Sequence, residues 1–442
     1  MHKGENMPDS QSQNQNQKLL HLIDKNEPSW MIEKRKTAFE SFISQQTPVK
    51  FEEISIEHDM KKFSFDGADS SEFVGEEKGI LFHNEKEMEE YKKQGLVFMS
   101  LKEVINNKLY SKLVSEFLYK KSFNENRFVS LNSAMWNRGV FIHVPKNMEV
   151  KKTLKFGFSD NNSTANSAIN QNKFQLDRIL LIAEENSKIT ILQSNNENDK
   201  DDKGDSKKEN RIRIEIVEPF LKEGSNVFYG NIQNFDEQHV NFSFKKTDVE
   251  KNAEMTWMDC CFGGSLSISQ IYTDLVAQGA STYNWGLFFG RKKQRFGVFL
   301  RNAHLSPGTT SDMLTKGVLD EEARSVYRGT VKIAEKSRNS NGYQRQDVLL
   351  LSNKAGADAK PNLEIDNNEV RCTHGVTIGQ VDAEKLFYLM SRGLNRDEAI
   401  KKLVEGFYET ILRKIHLEEL KEEVEKIIID SLEHTYKHNT KK

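Results

Sequence analysis

The chain has 442 residues, with Lys+Arg 64 against Asp+Glu 66 and a formal net charge of -2. That length fits two or more structural units or one elongated unit, and the balanced charge argues against a basic nucleic-acid binder and against an acidic tail. Three cysteines, two of them adjacent at Cys260 and Cys261, cannot build a disulfide framework, so a reducing cytoplasmic setting is expected. No run approaches the roughly 18 apolar residues of a membrane-crossing helix, so no membrane span is expected.

The opening stretch MHKGENMPDSQSQNQNQ is polar and lacks the apolar core of a secretory signal, so residues 1–18 read as a disordered tail. Residues 19–127 read as a mostly helical N-terminal region. Within it Pro28 lies near a helix start, and Trp30, Ala38 and Phe39 form a candidate buried stripe.

From about 128 the texture changes to short apolar alternations separated by Gly, Asn and Asp, as in GVFIHVP, KITILQ and RIRIEIVE. These predict strands of 4–8 residues. A weak repeat runs through them: Asn186-Ser187-x-Ile189, Gly224-Ser225-x-Val227, Asn252-Ala253-x-Met255 and Gly279-Ala280-x-Thr282. The longer first step contains the charged stretch 194–210, read as a disordered loop. Repeats of a few tens of residues built from short strands predict a stacked solenoid over 128–380, with Asn or Gly supplying a left-handed corner in each coil.

Residues 381–442 read as helical. Asp382 is a candidate N-cap, Gly393 a candidate stop, and Asn395 with Glu398 a capping box. Ala399, Leu403, Phe407, Ile411 and Ile415 recur every four residues, and Leu417, Leu420, Val424, Ile427 and Leu432 continue the apolar face. Such a stripe packs either on the chain's own core or on a partner.

The chemistry-bearing motifs are mostly missing. There is no phosphate loop, no GxGxxG opening a helix, no HExxH, no CxxC and no GxSxG. No enzymatic activity is therefore expected, and no carboxylate pair stands out on the strands. The remaining candidate is Cys372-Thr373-His374. On a strand Cys372 and His374 share a face, about 6–7 Å apart along the backbone. Thiolate with imidazole suits iron or zinc, but two ligands do not close a site. The other reading is a buried structural Cys beside a satisfied His. Cys260 and Cys261 point to opposite faces of a strand and read as structural.

The stretch CTHGVTIGQVDAEKLFYLMSRGLNRDEAIKKLVEGF resembles the C-terminal signature of the SufB/SufD family of iron–sulfur cluster assembly proteins. Cys372, His374, Gly375, Thr377, Gly379, Asp382, Phe387, Tyr388, Ser391, Arg392 and Gly393 carry the likeness, and Val376 stands where alanine is usual. LNSAMWNRGVFIHVPKNMEV, DEEARSVYRGTVKI, QRQDVLLLSNKAGADAKPNLEIDNNEV and the Glu-Pro-x-Trp opening at Glu27 are similar to other parts of the family. Within it HGVTIG is closer to the SufD form, because Gly375 occupies the position of a glutamate in the SufB form.

The resemblance implies a mainly β protein: a right-handed parallel β-helix flanked by N-terminal and C-terminal helical regions. It implies a non-ATPase scaffold subunit that binds the ABC-type ATPase SufC through its C-terminal helices, with Phe387, Tyr388, Arg392, Ala399, Leu403, Phe407 and Ile411 as candidate docking residues. It implies pairing with a SufB-like β-helix paralogue or a second copy of itself. Cys372 and His374 would then lie at the interface as ligands of a transient iron or iron–sulfur cluster, with no cofactor bound tightly by this chain alone. The alternatives are a self-pairing SufB-type scaffold that holds the nascent cluster, and a carbohydrate-active β-helix enzyme.

Overall fold

The computed structural model describes residues 26–45, 50–51, 54–55, 80–121, 125–158, 174–196 and 211–439. The expected tail at 1–18 and most of the charged loop at 194–210 lie outside the described residues. Strands β1 (Lys50–Phe51) and β2 (Ile54–Ser55) form a small antiparallel pair. The remaining strands are β3 (Ile80–Phe82), β4 (Val97–Ser100), β5 (Arg138–Val144), β6 (Leu154–Phe158), β7 (Phe174–Ala183), β8 (Lys188–Asn196), β9 (Arg211–Leu221), β10 (Asn226–Phe235), β11 (His239–Val249), β12 (Glu254–Gly263), β13 (Leu266–Leu275), β14 (Ser281–Gly290), β15 (Arg295–His304), β16 (Thr310–Leu319), β17 (Arg324–Ile333), β18 (Asn341–Leu350), β19 (Gly356–Ile365) and β20 (Arg371–Gln380).

These form two nine-stranded sheets. The even-numbered strands from β6 to β20 stack in one, closed by β3, and the odd-numbered strands from β5 to β19 stack in the other, closed by β4. Only β3 and β4 pair antiparallel; all other neighbours in both sheets are parallel. Each coil thus gives one strand to each wall, which is the expected parallel β-helix.

The repeat marks one corner of every coil. Asn186, Gly224, Asn252 and Gly279 all have positive φ, between 53° and 75°. Asn147, Gly308 and Asn339 extend the series. Each corner N–H donates to a carbonyl of the next coil: Asn186 to Glu223, Gly224 to Lys251, Asn252 to Gln278, at 2.8–3.0 Å. The small residue that follows, Ser187, Ser225, Ala253 or Ala280, is buried and lets the chain turn inward. Left-handed backbone suits Gly, then Asn, because other side chains crowd the carbonyl.

Period two then sorts the side chains into a lumen and an outer face. The lumen of the early coils is apolar along one side, around Ile189, Ile191, Val217 and Val227, and polar along the other. Arg213 sits between Asp177 and Glu215, Arg138 also donates to Asp177 at 2.7 Å, and Lys245 donates to Asp259 at 3.0 Å. Burial pushes the carboxyls of Glu215 and Asp259 up, but the facing cations Arg213 and Lys245, with hydrogen bonds from neighbouring side chains, outweigh it and hold both below the ordinary range. Buried charge is tolerated here because every ion meets an opposite one.

The helices cover the outer faces: α1 (Ser29–Ser44), α2 (Glu89–Lys93), α3 (Leu101–Ile105), α4 (Ser111–Phe117), α5 (Arg127–Met135), α6 (Ala383–Ser391), α7 (Arg396–Leu412) and α8 (Glu418–Asn439). In α1 Ala38 and Phe39 are buried as the stripe predicts, with Trp30 packed at the edge of the same cluster. Arg35 clamps the helix down: it donates to Glu27 and to the Ala134 carbonyl, and its guanidinium lies 4.4 Å from the Trp136 ring.

The N-terminal region is more mixed than mostly helical. Its described helices after α1 are short and interleaved with β3 and β4. The solenoid starts at Arg138 rather than 128, because Arg127–Met135 forms α5, capped by the Asn126 side chain on Val129 N. At the other end Asp382 accepts from Glu384 N and Lys385 N, Gly393 has φ +99°, and the Asn395–Glu398 capping box is complete.

The corner geometry is testable at Gly279. An added Cβ would meet Asn252 Oδ1 at 2.1 Å, on top of the left-handed backbone. Gly279→Ala is expected to lower unfolding stability by about 1–2 kcal/mol, read from the urea midpoint at unchanged slope.

Candidate functional site at the last coil

β19 and β20 end the stack. Among the described residues β19 pairs only with β17 and β20 only with β18, so both present an open edge. An open edge is a row of backbone donors and acceptors ready to pair. In β20 the register places Cys372 over Gly342, His374 over Gln344, Val376 over Gln346 and Ile378 over Val348. These four therefore face the lumen side, where no further coil covers them. Val376 and Ile378 are exposed, as is Ile365 on β19. The mouth of the solenoid is thus apolar apart from one thiol, one imidazole and the Gln380 amide at its end.

Cys372 is half-buried, and burial pushes its thiol up from the ordinary range. It occupies space that Gly342 leaves free. A side-chain carbon at Gly342 would lie 3.2 Å from Cys372 Sγ, 3.6 Å from His304 Nε2 and 2.8 Å from Val331. His304 thus borders the same space from the coils below. Its ring is fixed by Thr309 on Nδ1 and Ser311 on Nε2, both at 2.8 Å. Among the described residues no group of three or more His, Cys, Asp or Glu could hold a metal ion. Cys372 and His374 alone cannot close a coordination sphere, so any metal site here needs further donors.

The two other cysteines divide as the alternation requires. Cys260 faces outward beneath α7 and α8, and Cys261 faces the lumen. Both are fully buried, and burial raises both thiols well above the ordinary value, so neither is a ready nucleophile.

The C-terminal stripe packs on the chain itself. Ala399, Ile411, Ile415, Leu420, Val424 and Leu432 are buried in a cluster with or alongside Ile232, Met258, Cys260 and Leu287 of the even-numbered wall. Ile411 therefore holds α7 to the β-helix, and neither Ile411 nor the buried Ala399 is available at its surface. Leu403 and Phe407 are half-buried, with Lys316 4.3 Å above the Phe407 ring. Phe387, Tyr388 and Met390 of α6 are the exposed apolar group, with Arg392 beside Tyr388 at 5.2 Å. The signal for this lay in the sequence: two adjacent aromatics cannot both face one wall of a helix as short as α6. The apolar mouth was legible too, in the alternation of Cys372, His374, Val376 and Ile378.

The sequence of this chain matches known protein families over most of its length. Residues 164–407 match the SufBD core domain of the SUF iron–sulfur cluster assembly system, and residues 79–156 match the SufBD N-terminal region. The chain belongs to the SufBD family. It is 26% identical over 432 residues to an iron–sulfur cluster assembly SufBD family protein of Staphylococcus aureus strain MRSA252, covering 89% of this chain and 88% of that one. It is 27% identical over 431 residues to the iron–sulfur cluster assembly protein SufB of Bacillus subtilis, with the same coverage. No helix among the described residues is long and apolar enough to cross a membrane.

His304 gives the site a pH signature. Burial pushes its pKa down to about 4, against an opposing hydrogen bond from Thr309. The unfolded chain takes up that proton near pH 6.5. The stabilisation is therefore complete above about pH 6.5 and is lost as the pH falls toward 4. His304→Gln should flatten the difference between urea midpoints at pH 7 and pH 4.5, by up to about 3 kcal/mol.

Proposed function

We propose that this chain is a non-enzymatic subunit of a Suf-type iron–sulfur assembly scaffold, closer to SufD than to SufB, working in the cytoplasm. The observation that carries the reading is the open last coil, which presents Cys372 and His374 at an apolar mouth with unpaired strand edges on both walls. A second β-helix chain, either a SufB-like paralogue or another copy, docks on that end. It supplies the donors that Cys372 and His374 lack, and iron or a nascent cluster is held between the two subunits as cargo. Clusters are bound mostly by thiolates, with histidine as an occasional ligand.

The exposed aromatics Phe387 and Tyr388, with Arg392, form the docking face for the ABC-type ATPase SufC, and Leu403 and Phe407 border it. The absent phosphate loop fits a subunit that borrows its ATP hydrolysis. Because α7 is packed on the even-numbered wall, a movement imposed on α6 and α7 is carried to the β-helix. Gly375, where the SufB form has glutamate, favours the SufD-like role. The self-paired SufB-type scaffold is the second reading, supported by the likeness to the Bacillus subtilis protein.

Anaerobic purification of the tagged chain from its own cells tests this. An ABC-type ATPase with a second β-helix paralogue is the expected result, and the ATPase with this chain alone selects the self-paired scaffold. Absence of the ATPase overturns the reading. In the assembled complex Cys372→Ser should leave thermal unfolding unchanged and remove most of the bound iron; full iron content would contradict the role given to Cys372.

A further inference from the structure

The lumen changes character midway along its length. Up to Asp259 most of its buried polar groups pair with one another, Asn195 Nδ2 and Asn231 Oδ1 excepted. Beyond it the same column continues through Gly286, Thr315 and Gln346 before reaching Val376 in the last coil. The facing column runs Ser269, Val298, Tyr327, Ala359. Ser269 donates to Asp259 and Tyr327 brings a buried hydroxyl, but Val298 and Ala359 offer no side-chain polar atom.

Thr315 Oγ1 and both amide atoms of Gln346 are buried without a protein partner, although each residue is only 1% exposed. In the neighbouring column Asn302 donates to Asn284 Oδ1 at 2.8 Å. That bond leaves Asn284 Nδ2 and Asn302 Oδ1 equally unpartnered. A cavity of about 20 Å³ lies between Asn284, Thr315, Asp259, Cys261 and the apolar Val298 and Leu300. Gly286 keeps it open, since a Cβ there would stand 3.3 Å from Thr315 Oγ1. One water needs roughly 10–15 Å³ of such space and two or more polar partners.

We propose that this half of the lumen is a hydrated compartment whose ligand is ordered water: one molecule in the cavity bridges Asn284 Nδ2 and Thr315 Oγ1, and further water solvates Gln346 below the last coil. The buried hydroxyl and amides, each costly if left bare, are then satisfied. Ion pairs then hold the polar part of the early lumen, and water joins the amides and hydroxyl beyond Asp259. Cys261 lines the same cavity, so water there meets a protonated thiol. This inference stands on packing alone and does not depend on the proposed assembly role.

A high-resolution crystal structure of the full chain, with thermal unfolding of Thr315→Val and Gln346→Met, tests it. Water density 2.7–3.2 Å from Thr315 Oγ1 and Asn284 Nδ2 is expected, with each variant melting about 2 °C or more below the parent. A dry cavity in the parent overturns the proposal. So does an unchanged or raised melting temperature, because an apolar isostere at a bare polar site is neutral or stabilising. If a variant fails to fold, the density in the parent chain decides.

Discussion

A parallel β-helix satisfies its backbone only by laying one coil on the next, so its last coil has donors and acceptors with nowhere to go. Most of what is distinctive in this chain follows from how its two ends are treated. At the start of the stack β3 and β4 turn antiparallel and the N-terminal elements pack over the outer wall, anchored by Arg35 on Glu27 and Trp136. At the far end nothing comparable covers β19 and β20 among the described residues. Instead the lumen ends in Val376, Ile378 and Ile365, with Cys372 and His374 on the same face as the two β20 residues. An edge left long, apolar and uncharged toward the lumen invites pairing.

The walls behind that end are built for stiffness. Corner residues with positive φ tie each coil to the next, and the early lumen is cross-linked by Arg213, Asp177, Glu215, Lys245 and Asp259. Such a buried ion network costs desolvation that only complete pairing offsets. Its value lies in register, since a slip of one residue would turn every charge to the outer face. α7 lies on the same scaffold through Tyr408, whose hydroxyl donates to the Phe288 carbonyl at 2.6 Å, and α8 through Leu420 and Val424. α7 is therefore tied directly to the wall that encloses the lumen.

Much of this was legible in the sequence, for physical reasons. The corners were readable because left-handed backbone restricts residue choice at Asn186, Gly224, Asn252 and Gly279. The series faded at Gly308 and Asn339 because the lumen positions that follow are Ser311 and Gly342, neither a β-former. Gly342 is small so that Cys372 and His304 can approach, a pressure from neighbouring coils that no local pattern carries. The start of the solenoid was misplaced because α5 has no alternation and lies against the wall like a strand's neighbour. The stripe at Ala399 and Ile411 could be read as partner-facing or self-packed; only the position of the even-numbered wall beneath it decides. The split of Cys260 and Cys261 between outer face and lumen followed from strand period alone.

The claim at the centre of this account is that the open edge of β20 is completed by another β-helix. Hydrogen–deuterium exchange read peptide by peptide over Arg371–Gln380, in the dilute single chain and in the assembled complex, tests it most directly. The account predicts fast exchange of the edge-facing amides in the single chain and strong protection of the same amides on assembly. Assembly that leaves Arg371–Gln380 as exchangeable as before, with protection appearing only elsewhere, would contradict it.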